Sequence, residues 1–426
     1  MSKIIKYPFS QLYDMASGIS STKEQAGHGS PFVSFSTVFN NYFLPDALPD
    51  LMDTSIKEQE TYSIKKEGDI LITRTSETID ELAMSCVAVK DYPRATYSGF
   101  TKRLRPKTAG IAYHKYLAFY LRSQLFRKAV TNNAFMTLRA SFNEDIFSFW
   151  NLYLPEYKEQ VKIGDMLYSM EQKIQLNKRI CAELEAMAKT LYNYWFTQFD
   201  FPDENGKPYR SSGGEMVWND QLKREIPKRW DVRPLSHVIS SINTGLNPRD
   251  NFILGNGDIQ YLTVKNLTTS GTIDFSGCDT VDAREIIHKR SDVSVGDILF
   301  ASIAPLGRCY LIQNPPEKWD INESVFSIRR NASRVTSEFL YMYFMSDTFI
   351  KAATSSSTGS IFKGIRINTL LDIAAVIPPK DIVTAFTTQV KTLLALKEQK
   401  GTENRELTKL RDWLLPVLMN GQATVE

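Results

Sequence analysis

The sequence predicts an α/β protein of the α+β type, in which two globular units with mixed sheets alternate with two long helices. Three observations support this fold class: a heptad seam over residues 156–196, a second copy of it near the C-terminus, and repeated short segments before each seam. Because the order is the same in both halves, we expect an internal duplication over nearly the whole chain.

The first seam predicts a long helix that packs along another helix. No proline lies between Pro155 and Pro202, and apolar residues recur at alternating steps of four and three for more than four heptads. A core helix of one globular domain is the simpler alternative, but helices of such domains are seldom this long. The seam residues include Leu167, Met170, Ile174, Asn177, Leu184 and Leu191.

A second seam appears when the sequence is aligned with itself at an offset of 223 residues, which aligns Pro155 with Pro378. Apolar residues recur along this seam up to Pro416, except in its middle, where the polar residues Lys397, Lys400 and Asn404 occupy seam positions. Buried polar residues reduce stability and fix one register, so we predict that the two helices form an intramolecular antiparallel coiled coil. The matching apolar positions are Val390, Leu393, Leu407 and Leu414.

The globular units share scaffold segments. A Gly-Asp-Ile-Leu segment at 68–71 recurs at 296–299, and in each copy a turn leads into a β-rich run, at Ile70–Thr73 and Ile298–Ala301. The apolar segment 117–126 recurs as 340–349 at helical spacing. The strand order cannot be predicted from these segments. The expected division is a globular unit at 1–155, a helix at 156–200, a linker loop and second unit at 201–379, and a helix at 380–426.

Composition is that of an ordinary globular protein, with 42% hydrophobic and 23% charged residues. A net charge of +3 permits nucleic-acid binding without indicating it. The four cysteines form no C-x-x-C pair, which favours a reduced, cytoplasmic protein. No signal core and no apolar run of roughly 18 residues occurs, so no membrane contact is expected.

The segment that follows the first seam resembles the central region of type I restriction-modification specificity subunits. The resemblance rests on Tyr-Trp-Phe-Thr-Gln-Phe-Asp-Phe-Pro at 194–202, on residues 206–217, and on Ile-Pro-Lys-Arg-Trp at 226–230. The duplicated order of units and helices is also similar to that family.

This resemblance implies that each globular unit is a target-recognition domain for one half of a bipartite site in double-stranded DNA. The paired helices would set the spacing and dock two methyltransferase subunits, which restriction or motor subunits could join. By the same resemblance the chain holds no cofactor, and the partners bind S-adenosylmethionine and ATP.

Motifs for catalysis are few. The sequence has no phosphate-binding G-x-x-x-x-G-K-[ST] loop, and its four histidines are far apart. Asn314-Pro-Pro-Glu317 resembles the Asn-Pro-Pro-aromatic motif of adenine methyltransferases, but Glu317 cannot stack on a base, and a proline turn between strands explains it better. The alternative functions are a DNA methyltransferase or nuclease with its own active site, and a coiled-coil scaffold without a DNA role.

Candidate DNA contacts lie in loops and on one basic strand. Arginine pairs well with guanine, and small hydroxyl residues let the backbone approach phosphate closely. A solvated strand face and a mobile surface loop are the alternatives. The candidates are Arg74, Thr75, Ser76, Arg103, Arg105, Lys265, Asn266, Ser302, Arg308, Thr358, Ser360, Lys363 and Arg366.

Overall fold

The computed structural model describes residues 4–64, 68–76, 82–133, 140–142, 144–248, 253–282, 293–314, 318–357 and 364–425. Contacts divide the chain into two compact units. Unit 1 comprises Met1–Gln175 and Arg405–Glu426, and unit 2 comprises Leu176–Asn404. Each unit therefore combines a sheet-rich part with a stretch of both long helices.

Two long helices dominate the helical content. The central helix is α7 (Tyr157–Tyr192), which continues as a π-helical turn (Asn193–Thr197), and the C-terminal helix is α11 (Lys380–Met419). The short helices are α1 (Phe9–Leu12), α2 (Phe35–Asn40), α3 (Ile56–Thr61), α4 (His114–Tyr120), α5 (Gln124–Asn133), α6 (Glu144–Phe149), α8 (Ser337–Phe344), α9 (Asp347–Ser356) and α10 (Ile367–Leu371).

Unit 1 contains a four-stranded antiparallel sheet of order β2-β9-β5-β7 and a mixed sheet of order β4-β3-β8, in which β3 and β8 are parallel. Strands β1 and β11 form a separate pair. The strands are β1 (Ile5–Pro8), β2 (Tyr13–Ser17), β3 (Ala26–Val33), β4 (Asp50–Met52), β5 (Ile70–Thr73), β6 (Thr75–Ser76), β7 (Ser85–Val87), β8 (Thr96–Tyr97), β9 (Thr101–Pro106), β10 (Ala140–Ser141) and β11 (Asn151–Leu154).

Unit 2 repeats this topology. Its antiparallel sheet has the order β15-β21-β18-β19, its mixed sheet the order β17-β16-β20 with β16 and β20 parallel, and β14 pairs with β22. The predicted α/β fold class with mixed sheets is confirmed. The strands are β12 (Met216–Asn219), β13 (Arg224–Pro227), β14 (Asp231–Pro234), β15 (Ile239–Thr244), β16 (Ile259–Leu262), β17 (Asp279–Val281), β18 (Ile298–Ala301), β19 (Cys309–Leu311), β20 (Trp319–Ile321), β21 (Val325–Arg330) and β22 (Ala374–Ile377).

The repeated apolar segments are each divided into two helices, which helical spacing alone does not predict. Residues 117–126 span the end of α4 and the start of α5, and 340–349 span α8 and α9. A serine lies at each break: Ser123 Oγ accepts a hydrogen bond from Phe126 N, and Ser346 Oγ accepts one from Phe349 N. Such capping starts a new helix and so favours the break.

The C-terminal helix continues to Met419, past Pro416, the last residue of the predicted apolar seam. A proline inside a helix removes one backbone hydrogen bond. Leu415, Leu418 and Met419 are nevertheless buried in the core of unit 1, and burying these side chains outweighs that loss.

Each unit has its own apolar core. In unit 2 the end of the central helix contributes Trp195 and Phe196, and Phe386 of the C-terminal helix packs against both rings. In unit 1 Leu167 of the central helix and Leu418 of the C-terminal helix join the sheet residues. Among the described helices, none is long and apolar enough to cross a membrane.

Candidate nucleic-acid interface

The Gly-Asp-Ile-Leu turn of each unit carries a buried carboxylate that binds an arginine of the neighbouring strand. Arg105 Nε and Nη2 donate to Asp69 Oδ1 and Oδ2 at 2.9 and 2.6 Å, and Arg329 donates in the same way to Asp297 at 2.8 and 2.7 Å. Hydrogen bonding to Asp69 raises the pKa of Arg105. The expected phosphate contact of Arg105 would therefore compete with an internal bidentate ion pair.

The other cationic side chains of β9, the basic strand that carries Arg105, also have partners within unit 1. The guanidinium of Arg103 donates to Ser63 O and lies over the Tyr97 ring, 5.5 Å from its centroid. Lys102 is buried and donates to Ser17 Oγ at 2.8 Å. Burial, and secondly the charge of Arg74, lower the pKa of Lys102. This strand is thus built mainly around internal contacts.

The loops that follow β5 in unit 1 and β18 in unit 2 share one pattern of backbone hydrogen bonds, which we call the frame. Arg74 N donates to Phe100 O at 2.8 Å and Phe142 N donates to Arg74 O at 2.7 Å. In unit 2 Ser302 N donates to Ser324 O at 3.0 Å, and Ile365 N donates to Ser302 O at 2.8 Å.

The side chains on this frame differ between the units. Arg74 is exposed, whereas Ser302 is buried and its Oγ donates to Ser324 O at 2.8 Å. Thr75 is half-buried and, with Ser76, forms the short strand β6. Of these candidates, Arg74 offers the most accessible hydrogen-bond donors to a ligand.

The remaining candidates of unit 2 divide into fixed and exposed side chains. Arg308 donates to Val264 O at 2.7 Å and to Pro305 O at 3.2 Å, and burial lowers its pKa. Asn266 is buried, and its Oδ1 accepts from Thr263 N at 2.8 Å, which fixes the turn after β16. Lys265 and Arg366 are exposed, and Arg366 immediately precedes α10. Thr358, Ser360 and Lys363 lie outside the described residues, as do Pro315, Pro316 and Glu317.

The two long helices run antiparallel in each unit. In unit 1 Arg411 Nη1 donates to Glu171 Oε2 at 2.8 Å, and Lys162 Nζ donates to Val425 O at 3.1 Å. In unit 2 Asn177 pairs with Asn404 at 3.0 Å. The predicted seam residues Leu167, Ile174, Asn177, Leu184 and Val390 are buried, and Met170, Leu191, Leu393, Leu407 and Leu414 are half-buried.

Polar seam contacts that the sequence analysis did not identify accompany the Asn pair. Lys397 is only 5% exposed, and its ammonium binds Glu185 Oε2 at 3.1 Å and also Ser270 O. Lys397, Asn404 and Arg411 are seven residues apart in the sequence, and the first and last bind glutamates of the central helix. Heptad spacing of cations on one helix, with glutamates on the other, was the signal that could have revealed these pairs.

Within the described ranges, no three His, Cys, Asp or Glu side chains are grouped so that they could hold a metal ion. The arrangement consists instead of two similar backbone frames that present different side chains, and each unit also carries one internal arginine–aspartate pair. Such frames can position hydrogen-bond donors against a ligand.

Comparison with known proteins gives two matches to the type I restriction modification DNA specificity domain, at residues 11–186 and 227–408. The type I restriction enzyme MjaIX specificity subunit of Methanocaldococcus jannaschii is 24% identical over 381 residues, 88% of this chain and 82% of that protein. The HindI specificity subunit of Haemophilus influenzae is 23% identical over 330 residues, 65% of this chain and 70% of that protein.

A solved structure is also similar in fold. The S subunit of a type I restriction-modification system from M. genitalium superimposes with a TM-score of 0.61 at 15% identity, and the match covers 98% of this chain and 96% of that one.

Proposed function

The chain belongs to the type I restriction-modification DNA specificity family, and from this membership we propose how its parts act. It is the non-catalytic subunit that gives a type I restriction-modification complex its DNA sequence preference. Its two specificity domains fit recognition of a bipartite site, one half for each domain.

The observation that supports this division best is the shared frame with unlike side chains. The same hydrogen bonds hold Arg74 in unit 1 and Ser302 in unit 2, but one side chain is an exposed cation and the other a buried hydroxyl. Base-edge contacts specify sequence, whereas phosphate contacts only position the protein. Two scaffolds of one kind with different side chains at the strand ends are suited to two different half-sites.

We assign the direct base contacts first to exposed arginines. Arg74 in unit 1 and Arg366 in unit 2 are exposed at strand or helix ends, where they can reach guanine N7 and O6. Lys265 is a further exposed candidate. Asn266, Ser302 and Arg308 make internal hydrogen bonds that suit them to shaping their loops.

The paired helices, in this proposal, set the number of unread base pairs and dock two methyltransferase subunits. Leu410 and Trp413 of the C-terminal helix are 47% and 65% exposed, which supports a protein partner on that helix. Restriction or motor subunits would join this complex. S-adenosylmethionine and ATP would bind to the partner subunits, and the complex would act in the cytoplasm.

A methyl-transfer assay tests the proposal directly. The purified chain, the purified methyltransferase subunit of the same host and their mixture are each incubated with genomic DNA and radiolabelled S-adenosylmethionine. We expect label in DNA only from the mixture. Transfer by the chain alone would show an active site of its own and would overturn the assignment.

A further inference from the structure

Phe100 is an apolar side chain displayed on a turn that the fold holds rigidly. The ring is 64% exposed, although the turn lies between two core strands, β8 and β9. Gly99 N donates to Ile19 O at 2.7 Å, and a Cβ at Gly99 would lie only 3.0 Å from that oxygen. Thr101 N also donates to Ser98 O at 2.9 Å. The turn therefore keeps Phe100 in one place while leaving its ring in solvent.

The register of the sheet brings Phe100 opposite Arg74. In the antiparallel pair β5–β9, Thr73 pairs with Thr101, so the next positions in the same register are Arg74 and Phe100. Their backbones remain joined by the hydrogen bond from Arg74 N to Phe100 O. Residues directly opposite in an antiparallel pair project from the same face, so the aromatic ring and the exposed guanidinium form one surface.

The equivalent positions in unit 2 carry quite different chemistry. Ala301 pairs with Val325, and the next positions in that register are Ser302 and Ser324. Both sites have the same backbone hydrogen bond. Since the frame is shared, the presence of Phe100 and Arg74 is a property of unit 1 side chains and not a requirement of the fold.

We propose that Phe100 contacts the bases of the half-site bound by unit 1, stacking on or wedging beside a base step next to the position that Arg74 contacts. The inference rests on the proposed function. Exposed Arg74 places a cation beside the ring, which suits a polyanion better than an apolar protein face. Apolar side chains inserted at base steps unstack and bend DNA, and aromatic rings stack on bases of any sequence.

This contact would make the two halves of the site unequal. Base steps differ in the energy needed to unstack them, and pyrimidine–purine steps deform most easily. The Phe100 surface would thus favour a deformable step in one half-site, whereas Ser302 and Ser324 impose no such preference on the other.

The test uses the full-length chain with its methyltransferase subunit and a duplex that the wild-type complex has selected from a random library. Each adenine of either strand of the selected duplex is replaced in turn by 2-aminopurine, an adenine analogue whose fluorescence rises when it is unstacked. We expect a rise at one step of one half-site on wild-type binding. Phe100→Ala should abolish the rise and weaken binding about 5- to 100-fold. The slope of affinity against salt should stay unchanged, since no charge is removed.

Two further variants make the outcome specific. Phe100→Trp keeps a ring at the turn and should retain binding within about threefold and the fluorescence rise. Phe149→Ala removes another exposed ring of unit 1, 78% exposed, and should leave both readouts at the wild-type level. If Phe100→Ala binds and unstacks the duplex as the wild type does, the inference is overturned. If the wild-type complex selects no sequence at all, the proposed function fails first.

Discussion

Asn177 Nδ2 donates a hydrogen bond to Asn404 Oδ1, 3.0 Å away, between the central and C-terminal helices of unit 2. Asn177 is fully buried, and its own Oδ1 has no hydrogen-bond partner among the described residues. A buried amide that is only partly satisfied costs stability, but any slip of the helices would leave it with none of its hydrogen bonds. The pair therefore favours one register of the two helices over its alternatives.

Replacing one asparagine should be worse than replacing both. Asn404→Leu leaves the Asn177 amide buried without its acceptor and should lower the free energy of unfolding by about 1–3 kcal/mol. Asn177→Leu with Asn404→Leu should recover that loss, since an apolar pair suits the seam. Urea unfolding of the four proteins of this double-mutant cycle measures the coupling. A single variant as stable as the double variant would contradict it.

The duplicated ion pair should be a structural element in both units. Arg105→Ala leaves Asp69, whose side chain is fully buried, without its partner and should cost about 3 kcal/mol. Arg329→Ala is the matched control in unit 2, where a guanidinium that is 42% exposed should matter less. Thermal unfolding gives the stability, and DNA titrations below the transition give the salt slope. An Arg105→Ala protein of wild-type stability with a flatter salt slope would favour the phosphate contact instead.

Two buried thiols should make stability fall in mild alkali. Burial raises the pKa of Cys86 and of Cys309 to about 12. A thiol in the unfolded chain titrates near 8.5. The neutral thiols therefore stabilise the fold fully below pH about 8.5, and this contribution is lost as the pH rises towards about 12.

Between pH 9 and 10 each thiol should lower the free energy of unfolding by up to about 1.4 kcal/mol. Denaturant curves at half-unit pH steps measure the slope. The Cys86→Ala, Cys309→Ala double variant should show a flatter slope, whatever its stability at pH 7. An unchanged slope would mean that these thiols are not what titrates.

The length of the paired helices should determine the spacing of the half-sites. One heptad inserted after Asn177, with another at the facing position beside Asn404, keeps both seams in phase. It adds about 10 Å, or roughly three base pairs, and about 100° of groove rotation. Methylation of the original site should therefore be lost, and any remaining methylation should move to sites with a changed spacer. A folded variant that still modifies the original site at full rate would refute this.

The sequence predicted the fold class because its helical, strand and repeat patterns all indicated the same duplicated architecture. Two seams, two Gly-Asp-Ile-Leu turns and two apolar helical segments are local signals, and β5 (Ile70–Thr73) and β18 (Ile298–Ala301) occur at the predicted residues. The break at Ser123 depended on a single capping side chain, and the helix beyond Pro416 depended on tertiary burial, so neither followed from periodicity.

The site was predictable only as a set of loops. Basic residues at 102–107 resemble a phosphate-binding strand in the sequence, but Asp69 lies 36 positions from Arg105, and only the sheet register brings the two together. The sequence does not single out Phe100 for the same reason, because its place opposite Arg74 depends on strand pairing. Chemistry that depends on non-local pairing is not visible in one sequence.

The central claim, that each unit recognises its own half-site, is tested most directly by the methylome of a domain exchange. Residues 201–379 are replaced by the equivalent segment of a relative with a different specificity, and genomic methylation is sequenced in cells that carry the host methyltransferase subunit. We predict a bipartite motif in which one half and the spacer remain and the other half becomes that of the donor. A folded chimera in which both halves change, or which methylates a continuous motif, would contradict the account.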